Sequence, residues 1–70
     1  MAVETFNLSQ EYIHLNQLMK VMGWVNTGGE ANVMIDEGLV TVNGNIELRR
    51  RNKIYIGFEV SFSDHTVVVE

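Results

Sequence analysis

Thr27-Gly28-Gly29-Glu30-Ala31-Asn32-Val33-Met34-Ile35-Asp36-Glu37-Gly38 runs into Leu39-Val40-Thr41-Val42-Asn43-Gly44, and Asn45-Ile46-Glu47-Leu48 then leads to Arg49-Arg50-Arg51-Asn52-Lys53. Thr27 and Glu30 have the spacing of a capping box: the hydroxyl takes the N–H three residues on, and the carboxylate reaches back to the Thr27 N–H. Ala31, Met34 and Ile35 fall on one helical face, and Gly38 can stop the helix in a left-handed conformation. Asn43-Gly44 between alternating apolar residues signals a hairpin, because a type I′ turn needs positive φ at both central positions. The stretch therefore predicts a short helix, a tight stop, a hairpin and a basic knot.

Outward from it, Leu15, Leu18, Met19 and Met22 recur at helical spacing and predict a first amphipathic helix. Ser9 is its expected N-cap, with Glu11 in the first turn, and Ile13 and Lys20 are expected on the face opposite the apolar stripe. Gly23 should end this helix, with Trp24 as a core or seam residue between the two helices. The short link to Thr27 implies a helix–turn–helix unit. Residues 3–8 alternate weakly and read as a short edge strand or an ordered arm. Residues 53–56, Val60 to Phe62 and residues 66–69 read as further strands, with turns at Gly57 and at Asp64-His65. The fold class expected is α+β, with the helix pair packed on a small sheet of four to five short, mostly antiparallel strands. The methionines, Met1 included, read as packing residues.

This order resembles the RNA-binding domain named after the small-subunit ribosomal protein S-four, whose helix–turn–helix and hairpin are called the αL motif. Thr27, Ala31, Ile35, Gly38, Val40, Val42, Asn43 and Gly44 carry the resemblance without a gap. It covers about residues 13–62 and is nearest to small stand-alone bacterial members of YbcJ type. It implies a single RNA-binding domain over residues 1–70. The partners it implies are structured RNA, ribosomal or transfer, and the ribosome or its assembly intermediates. Members of the family usually carry Arg or Lys at the places of residues 28, 32 and 33. Gly28, Asn32 and Val33 stand there in this chain, which leaves residues 49–53 to supply most of the positive charge.

With 70 residues there is room for one domain. The chain has no cysteine, so disulfides and thiolate metal sites are excluded. No apolar run approaches the ~18 residues of a membrane span, and no leader pattern opens the chain. A cytoplasmic protein without a membrane partner is expected. The formal net charge of −4 argues against a general polyanion binder, yet four of the 5 basic residues lie between Arg49 and Lys53. A basic patch on an acidic body is a directed surface.

The candidate RNA-binding residues are Arg49, Arg50, Arg51 and Lys53, whose charges match phosphate. Gly28 and Gly29 join them at a helix N-terminus open to an anion, as do Asn32, Asn43, His14 and the outlying Lys20. His14 and His65 lack metal-ligand spacing, and Asp36-Glu37 read as solvated charges ending a helix. No catalytic set is present, so neither a cofactor, a metal nor a small-molecule substrate is expected, and the chain reads as a non-enzyme. The net charge and the missing basic residues of the second helix favour one alternative, a protein-interaction adaptor that keeps the fold with little RNA affinity.

Overall fold

The computed structural model describes residues 2–70; Met1, and with it the expected packing role of that side chain, lies outside them. The chain folds as α+β. The elements are β1 (Ala2–Phe6), β2 (Ile13–His14), α1 (Leu15–Val21), α2 (Gly28–Asp36), β3 (Val40–Val42), β4 (Asn45–Ile46), β5 (Lys53–Ile54), β6 (Glu59–Phe62) and β7 (His65–Val69). Five strands form one sheet in the order β1-β7-β6-β3-β4, and β2 with β5 forms a separate ribbon. Three pairs of the large sheet are antiparallel, while β1 lies parallel to β7 at the edge.

Local chemistry sets the helix ends. Thr27 caps α2 with its hydroxyl on the Glu30 N–H, and the Glu30 carboxylate accepts from the Thr27 N–H, completing the expected box. Both helices close with the same motif. Gly23 donates to Lys20 and Trp24 to Met19; Gly38 donates to Ile35 and Leu39 to Met34. Gly23 and Gly38 sit at φ 77° and 75°, as the stop requires. Asn43 and Gly44 have φ 53° and 86°, and the register Val42↔Asn45 makes them the two central residues of the β3–β4 hairpin.

The large sheet separates its faces by period-two alternation. Val42, Val60 and Val67 form one buried row across three strands, beside Val40 and Val69. Thr41, Ser61 and Thr66 form a hydroxyl row on the other face, with Ser61 and Thr66 hydrogen-bonded at 3.1 Å. Leu15, Leu18 and Met19 of α1 and Ala31 and Ile35 of α2 complete the core with Ile13 and Ile54 of the ribbon.

Several expectations are corrected. Ser9 and Glu11 do not open α1: Ile13–His14 form a strand first, and the helix starts at Leu15. Ile13 is not on an outer face, because it pairs with Ile54 and both are buried. Trp24 is half-buried against the core, as expected, and its ring reaches the sheet. It stacks on Phe62 and His65 and donates its indole N–H to Glu4 at 3.3 Å, which joins the interhelical turn to the sheet. The last turn is formed at Ser63-Asp64, with Ser63 at φ 57°, so His65 already belongs to β7. The strand expected over residues 53–56 is two residues long.

Gly38 yields a stability prediction. A Cβ there would meet Ile46 Cγ2 at 3.7 Å, an ordinary contact, so the cost of Gly38→Val is conformational. It should amount to roughly 1–3 kcal/mol and lower the melting temperature by several degrees or more. An unchanged melting curve would mean that the left-handed stop is not needed.

Candidate functional site

The loop between β4 and β5 carries Arg49, Arg50 and Arg51, all exposed. Its backbone is fixed from outside. The N-cap residue of α1, His14, makes no side-chain cap, yet the first helical N–H groups are satisfied: Leu15 donates to the Asn52 carbonyl at 2.9 Å and Asn16 to the Arg50 carbonyl at 3.0 Å. With the carbonyls of Arg50 and Asn52 engaged by α1, the loop is held at the end of that helix. The ribbon register places His14 opposite Lys53, and the Lys53 ammonium lies 4.8 Å from the centroid of the Tyr12 ring. Asn16 Nδ2 donates to Asn32 Oδ1 at 3.1 Å, joining α2 to the same corner.

The arginines divide by partner. Arg49 Nε donates to Glu47 at 2.8 Å, and Arg50 forms a two-point pair with Asp36 at the end of α2. Asp36 is therefore more than a solvated charge, although it stays exposed. The guanidinium hydrogen bond from Arg50 holds the Asp36 carboxyl below its usual range, and that from Arg49 does the same for Glu47. Arg51 has no carboxylate partner among the described residues.

Between the β3–β4 hairpin and residues 49–58 lies an open groove of about 790 Å³. Asn43, Arg49, Arg51 and Lys53 all line it, together with Asn45, Asn52 and Tyr55. Asn43 is also fixed structurally: its Oδ1 accepts the Glu59 N–H at 2.9 Å.

Of the candidate residues, Arg49, Arg50, Arg51, Lys53 and His14 lie in the loop and the ribbon beside it. Asn43 joins them through the groove, and Asn32 through Asn16. Gly28 and Gly29 open α2, where the Glu30 carboxylate already accepts the Asn26 N–H at 2.8 Å, so an anion is in place at that helix end. Lys20 is exposed in the last turn of α1, at the end away from the loop contact. The sequence reading did not single out Tyr12, Asn16, Asn45, Asn52 or Tyr55, nor pair Asp36 with Arg50. Their roles depend on the β2–β5 pairing and the loop cap, which leave no local pattern.

Residues 6–70 match the family model of the S4 domain. YbcJ of Escherichia coli (strain K12), named as a proposed RNA-binding protein, is 42% identical over 66 residues, which cover 93% of this chain and 94% of that protein. The uncharacterized protein YbcJ of Shigella flexneri matches with the same identity and coverage. The solution structure of YbcJ from E. coli is similar with a TM-score of 0.74 and 40% identity, over 99% of this chain and 89% of that one. That structure is described as revealing an αL motif involved in RNA-binding.

The Arg50–Asp36 pair sets a pH dependence. A carboxyl lowered in the folded state adds stability that is complete above its ordinary value and is lost as the pH falls through the lowered one. Replacing Asp36 by Asn should therefore reduce stability slightly at neutral pH and leave it unchanged in strong acid, because the pair is exposed. Thermal melts across the acid range check this; a difference that persists after the carboxyl has protonated would assign Asp36 another role.

Proposed function

The chain belongs to the S4 domain family, and from that premise we propose that residues 1–70 act as one RNA-binding module that recognises structured RNA, ribosomal or transfer, without catalysis of its own. The observation that carries the proposal is the loop of residues 49–53. It presents four cations on one exposed corner of a chain with net charge −4, two of them, Arg51 and Lys53, with no carboxylate partner among the described residues. Arg49, Arg50, Arg51 and Lys53 would follow the phosphate backbone, with His14, Asn32 and Asn43 close enough for phosphate or 2′-hydroxyl contacts. Gly28, Gly29 and Lys20 lie to the side and would contribute least. The ribosome or an assembly intermediate would be the natural setting, in the cytoplasm.

The Asp36 and Glu47 carboxylates compete with RNA for Arg50 and Arg49. Phosphate would have to exchange with them; the Arg50–Asp36 pair is exposed on both sides and costs little to open, whereas the Glu47 carboxylate is half-buried beside Arg49. The same pairing favours the second reading, an adaptor that binds protein and has little RNA affinity.

Salt separates the two. Three or four phosphate contacts at a slope of roughly 0.7–0.9 each imply that affinity for a ribosomal or transfer RNA fragment falls between about 20- and 150-fold from 50 to 200 mM salt. Changing Arg49, Arg50 and Arg51 together to Ala should flatten the slope by about two to three units while the melting temperature changes little. RNA affinity that ignores salt, or none at all, would leave the adaptor reading.

A further inference from the structure

We infer that the groove between the β3–β4 hairpin and residues 49–58 takes one unpaired nucleotide of the RNA, with its base against the Tyr55 ring; the inference rests on the RNA-binding reading above. Phosphate recognition alone does not account for what lines this groove. Phosphate accepts hydrogen bonds and has no use for an acceptor or an apolar ring, yet the groove contains three side-chain amides and two aromatic rings beside its cations. Asn43 spends its carbonyl on the Glu59 N–H and keeps its amino group. The Asn45 and Asn52 side chains have no hydrogen-bond partner among the described residues. Amides present donor and acceptor together, which is what a base edge requires.

The aromatic residues of the chain differ in availability. Trp24 lies near-parallel to two ring neighbours, 21° to His65 and 26° to Phe62, so its ring is engaged in the fold. Tyr55 is 38% exposed, and its neighbours meet it at a tilt, Tyr12 at 51° and Phe58 at 59°. Those two contacts fix the ring without laying a parallel ring over it, so Tyr55 is a positioned platform. Arg51 and Lys53 line the same groove, where they can hold the phosphates on either side of the inserted nucleotide. A base within a duplex is stacked on both faces and paired at its edge, so it cannot enter; a bulged or loop nucleotide can.

The test compares two RNA duplexes of equal length, one fully paired and one with a single bulged adenosine, by fluorescence anisotropy at fixed salt. The bulged RNA should bind at least about fivefold more tightly, the lower end for one base–aromatic stack. The preference should vanish in Tyr55→Leu and return in Tyr55→Phe, with the salt slope unchanged in both. On the unmodified protein, adenosine monophosphate should shift the Tyr55 ring protons upfield in NMR spectra. Equal binding of the two RNAs by the unmodified protein would overturn the inference and leave the RNA-binding module standing, whereas failure of both RNAs to bind would remove the module as well. A preference that persists in Tyr55→Leu, or ring protons that do not move, would also overturn it.

Discussion

The carbonyl oxygens of Arg50 and Asn52 close the N-terminus of α1, and the site takes its shape from that contact. A helix of seven residues has few internal hydrogen bonds, and its first N–H groups need partners. No side chain at His14 supplies one, so a distant loop does. The contact works in both directions: the helix gains its cap, and the loop gains a fixed backbone although its side chains are in solvent. Three consecutive arginines on an unsupported loop would lose more conformational entropy on meeting RNA. Here the backbone share of that ordering is supplied by the fold.

The ribbon β2–β5 extends the same constraint. Ile13 and Ile54 bury each other's side chains, which brings His14 to Lys53 and Tyr12 to Tyr55. The pairing thus serves the core on one side and assembles an aromatic and basic wall on the other. In a chain this short the two tasks share residues, because there is too little interior for separate scaffolding.

Electrostatics gives the site restraint. Nine acidic residues against five basic ones would repel a polyanion at long range. Two of those acids, Asp36 and Glu47, are placed against Arg50 and Arg49. On the RNA-binding reading proposed above, RNA would have to come within a Debye length and displace them before the full positive charge became available, which would favour a ligand of fitting shape over any nearby polyanion. A loop bearing the same arginines without these partners would discriminate less.

The sequence by itself determined the features whose cause lies within a few residues. The Thr27–Glu30 box, the Gly38 stop and the Asn43-Gly44 turn are each closed by chemistry over two to four positions, so residue type and spacing suffice. The apolar period of α1 and the valine alternation of the strands were legible for the same reason. The tertiary structure decided where α1 begins, because its cap is formed by loop carbonyls remote in sequence, and no pattern at Ser9 or His14 records them. It also decided the parallel seating of β1 on β7, the placement of Trp24 on the sheet, and the pairing of Asp36 with Arg50. The basic knot was visible as composition, but its division into paired and unpaired cations was not. Nor was the groove it shares with Asn43 and Tyr55, because hydrogen bonds and ring contacts act through space, and only the packed core sets which residues come within their reach.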